Sequence, residues 1–279
     1  MTVHTVLTVA ALTLREVARR KVLRALAVLT VILLTLSGWG FSRIDAEFGG
    51  LTSGEARIAS GVVLNLVMFG LSLIAALGTA FLAGPTLSGE VESGIALAVL
   101  ARPVRRFAVL LGKWLGLVVF GCGFVITAGL AQLLIVRFTV GYWPPQPVVG
   151  LLLLAAQTTA LLTLGLLLST AVSPMASGIV AVGLFGSAWV AGVVGGIGQA
   201  LNNDSVARVG SVSQMILPTD GLWHGAMYAF QDPALLGPQM LGSPLVSQAP
   251  LTGAYLGWAA VWVALILGLA GLAFQRRDL

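Results

Sequence analysis

Long apolar runs separated by short polar segments dominate the pattern of this chain. A helix needs roughly 20 predominantly apolar residues to cross a bilayer. Six runs meet that length, and an even number of crossings leaves both ends of the chain on the same side. The pattern therefore predicts an all-α polytopic membrane protein with a single transmembrane domain over residues 1–279. The predicted spans are residues 22–42, 60–84, 107–139, 149–172, 177–200 and 251–274.

Residues 3–21 precede the first span and follow a different, amphipathic pattern. One helical stripe carries apolar side chains, and the opposite face carries polar and basic ones. This pattern predicts a helix that lies in the inner membrane interface, where its basic residues meet anionic headgroups or an acidic partner protein. A simple solvated basic flank is the alternative. The apolar stripe consists of Val3, Leu7, Ala10, Ala11, Leu14, Val17 and Ala18, and the opposite face of His4, Thr8, Arg15 and Arg19.

The positions of lysine and arginine predict the orientation. Loops that are rich in these residues stay in the cytoplasm. With cytoplasmic termini, most of the 15 Lys and Arg residues fall on the inner side. The prediction is a multi-pass protein of the cell membrane, with residues 85–106 inside and residues 201–250 outside. The inner basic residues are Arg15, Arg19, Arg20, Lys21, Arg24, Arg102, Arg105, Arg106, Lys113, Arg276 and Arg277.

Composition narrows the function classes. The chain is 58% hydrophobic with a mean hydropathy of +1.00, more apolar surface than a soluble core of this size can hide. Its net charge of +5 is dispersed, so a nucleic-acid interface is not expected. Two histidines and the single Cys122 form no metal-ligand pattern. No paired carboxylates fall within the spans, so neither a membrane enzyme nor a metal site is predicted.

Residues 85–106 concentrate charge between the second and third spans, and we name them the coupling loop. The expected course leaves the span at Pro85 and starts a short helix near Ser88. Glu90 and Glu92 would then lie in its first turn, where the helix dipole favours acids. Pro103 disfavours helical geometry at the preceding residue and predicts a turn there. Basic side chains follow at Arg102, Arg105 and Arg106, with Lys113 at the entrance of the third span.

The connection of residues 201–250 is the longest on the predicted outer side. Asp220 is a candidate N-cap for a short helix. Aromatic residues suit a helix resting at the outer interface. We expect this segment to gate exit or to contact an extracytoplasmic protein, through Pro218, Asp220, Trp223 and Tyr228. His224 lacks a second ligand at metal spacing and is more typical of a headgroup or water contact.

Uncharged polar residues inside the spans have two interpretations. Asn65, Gln132 and Gln157 are candidates to line a substrate path, and interhelical hydrogen bonds are the alternative. Small residues recur at four-residue spacing at Gly183, Ser187, Ala191 and Gly195. Such a stripe predicts close helix packing, either within the chain or across a dimer.

At the coupling loop the sequence resembles the ABC-2 type permeases, the membrane subunits of ATP-driven exporters. Their loop typically reads as an acidic residue, Gly-Thr, a leucine-rich stretch, Pro-Val-Ser-Arg and Leu-Gly-Lys. Ile95 stands where threonine is usual. The length of the chain and Leu217-Pro218-Thr219-Asp220 look most similar to the Nos-type permeases of copper-enzyme maturation systems. Matching places are filled by Glu92, Gly94, Leu100, Pro103, Val104, Arg106, Leu111, Gly112 and Lys113.

The resemblance implies a permease homodimer that is coupled through the coupling loop to separate ATPase subunits, which bind ATP and magnesium. Gly112-Lys113 fails the phosphate-binding loop pattern, because Trp114 follows and the upstream glycine is missing. An ion- or proton-coupled carrier without an ATPase is the alternative, with Arg137 as the candidate ionisable residue within a span. The implied ATPase contacts are Arg15, Arg19, Arg20, Glu90, Glu92, Gly94, Arg102, Pro103, Arg105, Arg106 and Lys113.

Overall fold

Helices account for nearly all of the chain that the structure describes. The computed structural model covers residues 2–48, 54–92, 105–232, 245–247 and 249–276, and these residues form nine α-helices. The predicted all-α class is confirmed. The helices are α1 Thr2–Arg19, α2 Lys21–Phe48, α3 Gly54–Glu92, α4 Arg106–Val140, α5 Pro147–Ala171, α6 Pro174–Ala200, α7 Asp204–Ile216, α8 Thr219–Phe230 and α9 Gly253–Arg276.

Six of these helices are long and apolar enough to cross a membrane, as the sequence predicted. The end of the bundle that holds α1 and the last turn of α9 is called the inner end below. The opposite end, with α7 and α8, is called the outer end. The side of the membrane that each end faces stays a prediction. The spans are Lys21–Arg43, Arg57–Gly89, Arg106–Val140, Pro147–Ala171, Pro174–Ala200 and Gly253–Arg276.

Helix α5 lies at the centre of the bundle. It packs against α3, α4, α6, α8 and α9, and most of its residues are buried, as are most of those in α3. Gly165 allows α5 to approach α3 closely, because glycine has no side chain. A Cβ on Gly165 would lie 2.9 Å from Cβ of Ala83 on α3. Most residues of α2 and α9 are not buried within the bundle. Those exposed faces suit contact with lipid, because lipid chains are as apolar as the side chains themselves.

The expected exit of the second span at Pro85 is wrong, because α3 continues through Pro85 to Glu92. Proline removes one helical hydrogen bond, and in a membrane a neighbouring hydroxyl can satisfy backbone groups near the break. Ser169 of α5 does so: its Oγ accepts hydrogen bonds from the N–H groups of Leu87 and Ser88, both at 3.1 Å. No separate helix starts near Ser88, so Glu90 and Glu92 fall in the last described turn of α3 and not in a first turn.

The outer connection contains two helices, α7 and α8. The interfacial position expected for α8 is wrong, because this helix is packed into the outer end of the bundle. Its residues Leu222, Trp223, Met227 and Phe230 are at most 1% exposed. The N-cap position is Pro218, and Asp220 lies in the first turn, so the expected cap at Asp220 is also wrong.

Candidate functional sites at the two ends of the bundle

Helix α1 lies against the inner half of α4, and two glycines make the contact possible. A Cβ on Gly112 would lie 2.6 Å from Cβ of Val9 and 2.8 Å from the carbonyl oxygen of Val6. A Cβ on Gly116 would lie 2.7 Å from the carbonyl oxygen of Ala10. Glycines four residues apart on one helix face allow another helix to approach closely. Helix α1 is therefore held by a span and does not only rest on a lipid surface.

Lys113, next to Gly112, is buried and joins α4 to the end of α3. Only 5% of the residue is exposed, and its Nζ donates a hydrogen bond to the carbonyl oxygen of Thr86 at 2.9 Å. A buried ammonium is costly unless polar groups surround it. The sequence placed Lys113 on a docking surface, but in the structure it holds the stretch just beyond Pro85 and is not available on the surface.

Arg106, at the start of α4, binds the end of the last span. Its Nη1 donates to the carbonyl oxygen of Gln275 at 3.3 Å and approaches that of Phe274 at 3.5 Å. A cation at a helix C-terminus satisfies exposed carbonyls and opposes the negative end of the dipole. Arg105 and Arg106 also line a cleft of about 530 Å³ with Val6 and Gln275. Two of the residues that line this cleft are therefore basic.

The remaining predicted ATPase contacts differ in accessibility. Arg15 and Arg19 of α1 and Arg105 are exposed. Arg20 is paired within the chain, because its Nη2 donates to Glu16 Oε1 at 2.5 Å. Gly94, Arg102 and Pro103 lie outside the described residues, so the predicted turn at Pro103 stays a prediction.

The three polar residues proposed for a substrate path do not lie together. Asn65 Nδ2 donates to Gln231 Oε1 at 3.2 Å and to the carbonyl oxygen of Leu245 at 2.9 Å. Gln132 Nε2 donates to Ser37 Oγ at 2.6 Å, whereas Gln157 Oε1 accepts from Ser72 Oγ at 2.8 Å. All three side chains are buried. The geometry favours the alternative of interhelical hydrogen bonds, and a role in a path stays a prediction.

Arg137, the ionisable residue considered for a carrier, lies in the last turn of α4 and is exposed. Its guanidinium lies 5.1 Å from the ring centroid of Trp143. That geometry is a cation–π contact at the rim of the bundle. An arginine in this position does not face a path through the helices.

Among the described residues of the outer end, the carboxylate of Asp220 is buried. The residue is 3% exposed, and its Oδ2 accepts a hydrogen bond from Gln214 Nε2 of α7 at 2.9 Å. His224 Nε2, one turn further along α8, lies 3.5 Å from the same oxygen. Burial raises the pKa of Asp220, and nearby His224 and the Gln214 hydrogen bond oppose that rise. Oδ1 has no hydrogen-bond partner among the described residues.

Asp220 lies against a glycine of α6. A Cβ on Gly192 would lie 2.5 Å from Asp220 Oδ1, so any larger residue would displace the carboxylate. The same face of α6 and the neighbouring α7 and α8 enclose an open cleft of about 440 Å³, named the outer cleft. Its lining includes Trp189, Gly192, Gly195, Gly196, Gln199, Asn202, Ser211, Gln214, Asp220, His224 and Ser247.

Trp223 and Tyr228 do not form one exposed contact surface with Asp220. Trp223 is 1% exposed, and its ring lies 5.5 Å from that of Phe69 in α3. Tyr228 is half-buried and Pro218 is buried. An outside partner could not contact Trp223 in this conformation, and the proposed gate role of these residues stays a prediction.

Hydrogen bonds of Tyr142 and Gln231 anchor the far end of α8. Tyr142 donates from its hydroxyl to the carbonyl oxygen of Phe230 at 2.9 Å, and burial raises the pKa of this phenol to about 12. The phenol therefore stays protonated and able to donate at physiological pH. Gln231 donates to the carbonyl oxygen of Ser247 and accepts from Asn65. These bonds fix α8 against α3 and the segment before α9.

Sequence reasoning missed the contacts that hold the inner end together. The spacing of Gly112 and Gly116 was a usable signal for a helix docking on α4, because the pair matches the small-residue motif of membrane helices. Lys113 stands seven residues into the span that begins at Arg106, which signals burial. Ser169 and Gly192 carried no such signal in the sequence. The role of Ser169 depends on the N–H groups just after Pro85, and that of Gly192 depends on the carboxylate of Asp220.

Comparison with known proteins agrees with this architecture. A family model described as ABC-2 family transporter protein matches residues 7–279. No curated protein matches the chain. The family match and the six apolar helices together support a multi-pass protein of the cell membrane. The chain belongs to the ABC-2 family of transporter proteins.

Proposed function

We propose that this protein is the membrane subunit of an ATP-driven exporter, in which two copies form the permease and separate ATPase subunits supply the energy. The supporting observation is the clamp at the inner end: a single turn of α4 seats α1 through Gly112 and holds α3 through Lys113. Because both contacts lie on one span, force applied to α1 or to the coupling loop reaches the bundle core directly.

Charge at the inner end fits an acidic partner surface. Arg15, Arg19 and Arg105 are exposed, and the last of these lines a basic cleft. Exposed cations on a docking face steer an oppositely charged protein and set its register. The 279 residues contain no phosphate-binding loop, so in this proposal ATP and magnesium are bound by the partner subunit.

The small-residue stripe of α6 supports the second copy. Its outer part is used within the chain, because a Cβ on Gly195 would lie 2.7 Å from Cα of Gly210 on α7. Its inner part remains open: Gly183 and Ser187 are exposed, and nothing lies within 4 Å of a Cβ built on Gly183. Close packing of this face against a second α6 is the proposed dimer contact. The closer similarity to Nos-type permeases stays a prediction.

The test is co-purification of the tagged full chain from its native membranes, followed by mass spectrometry of its partners and by ATP-driven transport in vesicles. We expect an ABC ATPase at one copy per permease chain. The triple variant Arg15→Glu, Arg19→Glu, Arg105→Glu should lower ATPase recovery at least ten-fold, as expected from losing about 1.4 kcal/mol or more of contact energy. Arg208→Glu, an exposed arginine of the outer end, is the matched control and should leave recovery unchanged.

A second candidate function rests on Lys113, because a buried ionisable residue in a span is a common feature of ion- or proton-coupled carriers. The same vesicles separate the two functions. Transport that needs a proton gradient and continues without any ATPase would favour the carrier and contradict the exporter. Transport that needs ATP and ignores the gradient would favour the exporter.

A further inference from the structure

We propose that the outer cleft binds a small organic cation with N–H donors, a protonated amine or guanidine, and that Asp220 is its charge partner. The proposal does not depend on an ATPase or on the dimer contact. It rests on the charge, the hydrogen-bond capacity and the space of a cavity that the transport proposal leaves without a role.

Charge is the first argument. Asp220 is the single carboxylate among the described residues that line the outer cleft, and no lysine or arginine lines it. The field inside the cleft therefore favours a cation, and a concave wall of low dielectric strengthens that preference. His224 adjoins the carboxylate but is partly exposed and leaves the rest of the cleft without a fixed positive charge.

Hydrogen-bond capacity is the second argument. Asp220 is buried, yet its Oδ1 accepts no hydrogen bond within the described part of the chain. A buried polar atom without a partner carries a desolvation penalty. Oδ1 lies against Gly192, so the proposal requires the carboxylate to turn towards the cleft, where a ligand donor removes that penalty. The other polar groups at the cleft, among them Gln199, Asn202 and Ser211, offer further amide and hydroxyl oxygens.

The same groups argue against a bare metal ion. Among the described residues no three His, Cys, Asp or Glu side chains come close enough to hold one. One carboxylate with neutral oxygens around it suits an ammonium or guanidinium, which brings several N–H donors of its own.

Space is the third argument. The cleft of about 440 Å³ lies within the range of small-molecule sites, which is roughly 300–1,000 Å³. One wall is built from Gly192, Gly195 and Gly196 of α6. A Cβ on Gly196 would meet no atom within 4 Å, so a larger side chain there can occupy the cleft without disturbing the packing.

The experiment measures binding of agmatine and putrescine by calorimetry, using the full chain in phosphatidylcholine nanodiscs together with any subunits that co-purify. We expect saturable binding to the unaltered protein. Asp220→Asn should weaken it at least ten-fold, and Gly196→Leu should weaken it similarly by filling the cleft. The matched controls are Asp204→Asn, an exposed acid at the start of α7, and Gly257→Leu, an exposed glycine of α9, and both should bind normally.

Two further arms define the ligand. Tetramethylammonium, a cation without N–H donors, should bind at least ten-fold more weakly than agmatine, and equal binding would overturn the assignment of N–H donors. Nanodiscs that contain phosphatidylethanolamine distinguish the sources of the amine. Competition by that lipid identifies a headgroup ligand, and unchanged agmatine binding identifies a soluble cation.

Absence of saturable binding by either amine would overturn the proposal, as would equal affinity in Gly196→Leu. Size-exclusion elution and melting temperature of each variant report whether it folds. If Asp220→Asn does not fold, Gly196→Leu decides alone, because its side chain enters open space.

Discussion

Among the residues whose burial the structure describes, each end of the bundle buries one charged side chain, Lys113 at the inner end and Asp220 at the outer end. The surroundings of these two side chains differ. Lys113 donates to the carbonyl oxygen of Thr86 within a closely packed junction of α3 and α4. Asp220 lines an open cleft and keeps one oxygen without a hydrogen bond among the described residues. Packing around a buried charge therefore decides whether its hydrogen-bonding groups are satisfied by a neighbouring helix or left without a partner beside a cleft.

Glycines repeat the same contrast. At the inner end the space over Gly112 is filled by Val6 and Val9 of α1. At the outer end the space over Gly196 is empty. In the sequence, Gly112 and Gly196 look alike, because each is a glycine within a long apolar run. The difference shows that the inner end is closely packed at this glycine and that the outer end holds a cavity.

The largest expected effect comes from Gly112→Leu, which attacks the clamp. The added side chain would overlap Val9 and the carbonyl oxygen of Val6, so α1 must move away from α4. We expect a loss of roughly 3 kcal/mol in the free energy of unfolding and at least a ten-fold fall in ATP-driven transport. Thermal melting and vesicle transport measure the two effects. Gly123→Leu, an exposed glycine of the same helix with open space around it, is the control, and equal melting temperatures for both variants would contradict the clamp.

An intermediate effect is expected from Lys113→Met, which keeps the length of the side chain and removes the hydrogen bond to Thr86. The carbonyl oxygen of Thr86 then loses a donor next to Pro85, at a cost of about 1–3 kcal/mol. Lys21, the other lysine of the chain, is exposed, so Lys21→Met is the control for loss of charge. Melting temperatures should fall for the first variant alone. If both variants melt like the unaltered protein, the inner charge does not fasten the helices.

The smallest effect is a pH dependence at the outer end. Burial raises the pKa of Asp220 above its value in the unfolded chain, so the folded state holds the proton more tightly. The stabilisation is complete below the unfolded pKa and is lost as pH rises through the folded pKa. Asp220→Asn should remove this slope and gain about 1 kcal/mol at pH 8 relative to the unaltered protein.

Melting temperatures between pH 4 and pH 8 give the measurement. His224 lies beside the carboxylate, so His224→Gln accompanies the series, and Asp204→Asn is the exposed control. A steeper fall of stability with pH in Asp220→Asn than in the unaltered protein would contradict the burial of an ionisable carboxylate at this site.

The sequence was sufficient to predict a helical membrane protein with six spans, because every crossing of the lipid needs a long apolar helix. Sequence reasoning wrongly ended the second span at Pro85, because proline in a sequence usually indicates the end of a helix. In the fold, Ser169 from another span supplies hydrogen-bond acceptance just beyond that proline. Residues 82 positions apart create the exception, and local pattern contains no information about such a pair.

For the candidate site residues too, some properties could be predicted from local sequence pattern and others depended on distant parts of the fold. Arg15 and Arg105 are exposed, and their role as ATPase contacts stays a prediction. Trp223 was expected at an interface because aromatic residues favour such positions. In the structure its side chain is buried where α8 packs against α3. Asn65, Gln132 and Gln157 were recognisable as unusual polar residues, but only the fold shows that each meets a different helix or segment.

The sequence by itself determined that this protein is helical, apolar and a member of a permease family, because these properties depend on length, hydropathy and motif spacing. The tertiary structure decided which buried charge is hydrogen-bonded to a neighbouring span and which one lines a cleft, because burial and hydrogen-bond partners arise where distant helices meet. Lys113 donates a hydrogen bond to a carbonyl oxygen of α3, whereas Asp220 packs against Gly192 of α6 and lines the outer cleft.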